Sequence, residues 1–237
     1  MTLRLYVVPA SHPCAAAESA LRMKGFDYKV TELPPGVHAA HQRLRFGRRT
    51  VPSMRADGEK VSGSREIMRW LEERRPEPAL WPSEPAARAA VEEAEAWGDE
   101  VLQSVARRLI WYSLRKRPDA LPSFLANSKL PVPAWAARLS GPVTSVVEWW
   151  LNGVSASAVE ADVANLPSLL SRVSGWIDEG VVGGETPNAA DLQIGSSLAL
   201  LSTIGDVAPL ISGSPAGALP RRWFPDYPGS IPPGTLS

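Results

Sequence analysis

The chain has 237 residues, with 25 Lys plus Arg balancing 25 Asp plus Glu, and 44% of its residues are hydrophobic. That length suits one large domain or two smaller ones with a sizeable core, and with a net charge of zero nothing suggests an electrostatic nucleic-acid binder. No apolar run reaches bilayer-spanning length, one cysteine excludes an intramolecular disulfide framework, and His12, His38 and His41 are too scattered for a metal site.

The N-terminal "LRLYVV" (3–8) is apolar and rich in β-favouring residues, so it reads as a buried strand and not as a signal peptide. A soluble cytoplasmic protein is therefore expected. Next come Ser11-His12-Pro13-Cys14, which have the position and spacing of a thioredoxin-type C-x-x-C motif with serine in place of the first cysteine. Strong helix formers run from Cys14 to Lys24, with Cys14, Ala17 and Leu21 at helical spacing and Gly25 as a C-terminal stop. "FDYKVTEL" (26–33) alternates as a second strand, and "PPGVHAAHQRLRFGRR" offers a weak helix or an irregular connection. A hairpin about Asp57-Gly58 follows. Residues 64–75 return to helix, with Ser64 as N-cap and Ile67, Trp70 and Leu71 on one face. A βαβ unit, a hairpin and a helix imply a mixed sheet.

Residues 75–85 hold four prolines in eleven positions, the composition of a linker. Beyond them the pattern is almost entirely helical. Ser83 is placed to cap a long helix carrying Ala94, Trp97, Val101, Val105, Leu109 and Tyr112 at helical spacing. A break is expected near Gly141-Pro142, and a helix over 158–180 has Pro167 as a kink or boundary. "AADLQIGSSLALL" (189–201) is apolar on most sides and therefore central. The tail "PRRWFPDYPGSIPPGTLS" reads as non-helical, either wrapping the surface or partly disordered.

A small mixed α/β domain followed by an all-helical one, with S-H-P-C after the first strand, resembles the cytosolic glutathione transferase superfamily. Three motifs carry the resemblance: "SHPCAAAESALRMKG", "RRTVPSM" and "GETPNAADLQI". The last is similar to the family's capping box, with Asn188 as cap and Asp191 reaching back. The resemblance implies a thioredoxin-like thiol-binding domain (mixed four-stranded sheet) over 1–77, a linker over 78–84, an all-helical domain over 85–213 and a proline-rich tail over 214–237. It also implies glutathione, or another low-molecular-weight thiol, as cosubstrate, with no metal. A small electrophile bound by the helical domain, detoxification chemistry and a homodimer follow from the same comparison, with no nucleic-acid or membrane partner. Thr50-Val51-Pro52 looks like the family's cis-proline loop, in which Val51 offers its backbone to the cysteinyl part of the thiol. Gly63-Ser64 stands where the family has Glu-Ser or Asp-Ser. Ser64 and its helix N-terminus suit a γ-glutamyl carboxylate, but the acid that helps hold the ammonium is missing.

A helix N-terminus stabilises a nearby thiolate. Ser11 is thus placed to donate a hydrogen bond to a bound thiolate, its plainer role being an N-cap. Cys14, one turn in on the face toward the sheet, reads first as a buried inert thiol. The alternative is a mixed disulfide with glutathione and thioltransferase chemistry. His12 is available to steer an anionic substrate or assist proton transfer, against the commoner exposed loop histidine. Arg48 and Arg49 can bind a glycyl carboxylate or remain solvated. Of the nine tryptophans, Trp111, Trp149 and Trp150 lie with Tyr112 in the helical domain, and most of these aromatics are expected in the core. The candidate set is Ser11 and Cys14 for catalysis, with His12, Arg48, Val51, Pro52, Gly63 and Ser64 for binding the thiol. Three functions fit: a glutathione-transferase-like enzyme adding the thiol to an electrophile or using it for isomerisation, a non-catalytic binding or dimerisation protein of the same fold, and a Cys14-dependent thioltransferase.

Overall fold

Leu3, Leu5, Tyr6 and Val7 are buried along Leu3–Val7 (β1), because this apolar run lies in the middle of a sheet. The computed structural model describes residues 2–130 and 153–236. Tyr28–Glu32 (β2) pairs with β1 in parallel, Ser53–Ala56 (β3) antiparallel, and Glu59–Ser62 (β4) completes the order β2-β1-β3-β4. His12–Met23 (α1) is the crossover that a parallel pair requires. Asp57 and Gly58, at φ 47 and 102, form the two-residue turn between β3 and β4. The segment after β2 is a regular helix, His38–Phe46 (α2). Ser64–Arg74 (α3) closes this thioredoxin-like region and buries Ile67, Met68, Trp70 and Leu71. A buried lysine ties the ends of α1 and α3 together: Lys24 Nζ donates to Glu72 Oε2 and to the carbonyls of Arg75 and Pro76, at 2.7 and 2.9 Å for the carbonyls.

The helical region begins with Pro85–Trp97 (α4). Its cap is Glu84 and not Ser83: with proline at the first helical position, the Glu84 carboxylate is the group that reaches the amides of Ala86 and Ala87. The long helix expected here is divided by a π-helical turn, Gly98–Leu102, before Gln103–Lys116 (α5). The extra residue in that turn shifts the helical spacing, so Val101 is exposed while Leu102 is fully buried. Gly98 permits the close approach, since a Cβ there would stand 3.0 Å from Ile194 Cγ1. Helix Ala156–Asp178 runs through Pro167, which is neither start nor end. Burial of Leu166, Leu169, Leu170 and Val173 around it outweighs the roughly 3 kcal/mol that an interior proline costs.

Residues 189–201 of the core helix Ala189–Ser202 are all buried, and Asn188 and Asp191 form the expected capping box. This helix packs against α1, α4, α5 and the helix Ala218–Trp223. The latter corrects the non-helical reading of the tail, because Pro220 sits in a first turn where its missing N–H costs no hydrogen bond. The last residues return to the helical region, where Ile231 pairs with Ile204. Among the described residues no helix is long and apolar enough to cross a membrane, and no group of three or more His, Cys, Asp or Glu could hold a metal. The expected break near Gly141-Pro142, Trp149 and Trp150 lie outside the described residues.

Candidate functional site

β1 ends at Val7 and the chain turns sharply before α1. Pro9 stands at the second position of the turn Val8–Ser11 and Ala10 at the third with φ 57, the residue pattern of a type II turn. The Ser11 amide closes it on the Val8 carbonyl at 3.1 Å. Ser11 is then the N-cap residue of α1 by backbone position, with Pro13 in the first turn, yet its hydroxyl makes no capping bond. It acts instead on the Cys14 thiol, whose pKa it lowers.

Ser11 lines a cleft between the sheet region and the helical region. His12, Thr50 and Val51 share its wall with Ser11, while Ile110, Trp111 and Leu114 of α5 and Phe124 supply an apolar wall opposite. The Val51–Pro52 peptide is cis. Among the described residues no hydrogen bond engages the Val51 amide or carbonyl, so both are available to an extended ligand backbone. His12 is not the exposed loop histidine expected: it opens α1 and is 3% exposed. Burial, followed by the positive charge of Arg107, holds its pKa well below the ordinary imidazole value, so the ring is neutral. Its Nε2 has no partner among the described residues.

Cys14 is buried, and burial pushes its thiol up to about 12 against the opposing pull of hydrogen bonds with Ser11 and the Val8 backbone. It borders a second cleft behind Ser11, shared with Tyr227 of the tail. At this pKa the helix N-terminus does not yield a thiolate, so desolvation wins.

The second predicted subsite differs from expectation. Gly63, at φ 110 and ψ 145, is the N-cap residue of α3 and Ser64 is the first helical residue. Glu66 folds back over the glycine, so that a Cβ there would lie 2.0 Å from Glu66 Oε2. Ser64 is buried and its hydroxyl donates to Gln193 Oε1 at 3.0 Å. Gln193 Nε2 donates onward to Asp99 Oδ1 at 3.0 Å. Gln103 donates to the same Asp99 oxygen and accepts from Arg107, which reaches the cleft. The Ser64 proton is therefore committed inward, with no proton left for a carboxylate ligand.

The structure brings Ser11, His12 and Val51 together in one cleft, with Cys14 behind them, and leaves Arg48, Pro52, Gly63 and Ser64 off its lining. Arg48 Nη1 lies 3.8 Å from Glu66 Oε1 in a solvent-exposed pair, and Arg49 is exposed. Arg107 and Tyr227 enter the site from far along the chain, and no local pattern marks Tyr227. Spacing along α5 is a weak signal for Arg107, which lies one turn before Ile110 and Trp111.

Residues 5–79 match the family model described as glutathione S-transferase, N-terminal domain. No curated protein matches the chain significantly. Among solved structures, the chain is similar to a glutathione S-transferase from Rhodospirillum rubrum F11, with 22% identity, coverage of 85% of this chain and 78% of that one, and a TM-score of 0.59. It is also similar to the beta-etherase LigF from Sphingobium sp. strain SYK-6, with 19% identity, 85% and 84% coverage and a TM-score of 0.62. A glutathione S-transferase from Sinorhizobium meliloti 1021 matches over 100% of this chain and 98% of that chain at 16% identity and a TM-score of 0.62. At these identities the likeness is one of fold.

Proposed function

From a chain that has the fold of the glutathione transferase superfamily and a family-type N-terminal domain over residues 5–79, we propose an enzyme that activates a bound low-molecular-weight thiol. Glutathione is the thiol meant, and the activated form either adds to a small electrophile or serves a thiol-dependent isomerisation. In this reading the Ser11 hydroxyl donates to the thiolate and lowers the thiol's pKa, and the Val51 amide and carbonyl pair with the cysteinyl backbone. Ile110, Trp111, Leu114 and Phe124 hold an apolar electrophile and exclude water from the reacting sulfur. The observation that carries the reading is that Ser11 and Val51 face one cleft whose opposite wall is apolar. The same reading takes the protein as a cytoplasmic homodimer.

A thioltransferase relying on Cys14 is disfavoured by the burial that holds its thiol protonated up to about pH 12. The non-catalytic reading is favoured by one observation, the commitment of the Ser64 hydroxyl to Gln193 beside an acid-free Gly63. Calorimetry with glutathione separates the two: saturable binding is expected at millimolar thiol or below, and its absence overturns the enzymatic reading for this thiol. With binding in hand, Ser11→Ala should remove conjugating activity while leaving binding, and full activity in that variant refutes the role given to Ser11.

A further inference from the structure

We propose that Tyr227, delivered by the C-terminal tail, is a positioning residue that fixes the peptide unit on which Ser11 is mounted. That peptide, joining Ala10 to Ser11, is held at both edges. Its N–H donates to the Val8 carbonyl at 3.1 Å, and its C=O accepts from the Tyr227 hydroxyl at 2.6 Å, a contact spanning 217 residues of sequence. Ala10 is kept at φ 57, a conformation that a residue with a Cβ enters at a cost. Rotating this peptide would relieve Ala10, break both contacts and carry the Ser11 hydroxyl away from the wall it shares with Val51. The phenol is the only one of the two clamps that lies outside the turn itself.

The tail is built to deliver that phenol. Ser230 N donates to Ser123 Oγ at 2.9 Å and Ile231 N to the Thr203 carbonyl at 2.8 Å. The Asp206 carboxylate accepts the amides of Gly234, Thr235 and Leu236. Gly229, at φ 109, lets the chain lie flat on Phe124, since a Cβ there would stand 2.1 Å from Phe124 Cε1. The tail therefore braces the Ser11 turn and the apolar wall of the cleft at once. Burial raises the Tyr227 pKa well above its ordinary value, so the hydroxyl remains a donor.

The inference rests on the reading of Ser11 as the thiol-facing group, but its geometry needs no ligand. Hydrogen exchange of the intact Tyr227→Phe variant should show the Ser11 amide exchanging about tenfold faster, with the Leu5 amide of β1 unchanged. In turnover with glutathione, kcat should fall about tenfold with KM for the thiol within about twofold. Phe keeps the ring, so a tyrosine that only fills space would leave Ser11 exchange and kcat as in the wild type, and that result overturns the proposal. Should Tyr227→Phe not fold, Asp206→Asn loosens the tail at its far anchor, and unchanged Ser11 exchange there is equally fatal. A wild-type chain that binds no thiol sinks the proposed function alone, because the exchange experiment still decides the role of Tyr227.

Discussion

Two helices of the sheet region start with a serine, and the two serines are used in opposite ways. At the start of α1, Ser11 makes no capping bond and faces a cleft. At the start of α3, Ser64 is buried and its hydroxyl is consumed by Gln193 of the core helix. Residue type and position at a helix N-terminus are nearly the same; what differs is the element packed over each. α1 begins at the open seam between the two regions, whereas the core helix is laid across the start of α3. A helix start is therefore a functional candidate only where nothing covers it.

The sharpest way to break the contrast is to truncate each serine. Ser11→Ala should cut kcat/KM for thiol conjugation by about tenfold to a hundredfold, the worth of one hydrogen bond to a charged sulfur, with the melting midpoint close to wild type. Steady-state kinetics and calorimetric melting check this together. At the other start, Gly63→Ala forces a side chain into φ 110 and against Glu66, costing about 2 kcal/mol by denaturant unfolding. Adding Glu66→Ala should recover only the steric share, and full recovery would show that backbone conformation is not the cause. Ser64→Ala leaves Gln193 Oε1 without its buried donor and should lower stability by about 1–2 kcal/mol while kcat stays within about twofold. A large kcat loss without a stability loss would place Ser64 in the site after all.

At neutral pH proton linkage gives the smallest effect, and it grows only toward the extremes of pH. The Cys14 thiol is raised from an ordinary 9.0 to about 12, so between those values the unfolded chain loses a proton that the native chain keeps, and stability falls as pH rises through that window. Cys14→Ala should flatten this alkaline slope in pH-dependent melting. His12 has the opposite sense: its native pKa lies well below 6.5, so below pH 6.5 the unfolded chain binds a proton that the native one does not, and stability falls on acidification.

Local signals were legible and distant ones were not. The Asp57-Gly58 turn and the Asn188–Asp191 capping box are each decided within four residues, by φ preference and by a reciprocal pair of hydrogen bonds. The order of strands and helices follows from such signals. The boundary alternative fails at Pro167, where buried leucines hold the helix through it, and helical spacing fails at Val101, where the π turn moves the stripe by one position. In the site, Ser11, His12 and Val51 sit together because turn and loop are near in sequence or joined by the sheet. The partner of the Ser64 hydroxyl lies 129 residues away and that of Tyr227 lies 217 residues away, separations that no local pattern spans.

The line of hydrogen bonds from Ser64 through Gln193 to Asp99, and from Arg107 through Gln103 to the same carboxylate, has a direction. Every donor along it points toward Asp99, which terminates both branches. A substitution that removed that carboxylate would leave the Gln193 amide without its acceptor and the Gln103 amide with only the Asp99 backbone carbonyl, at 3.3 Å. One carboxylate therefore ends the chain of donors from the start of the third helix of the sheet region, from the core helix and from α5, so the charge of Asp99 couples the two regions at their seam.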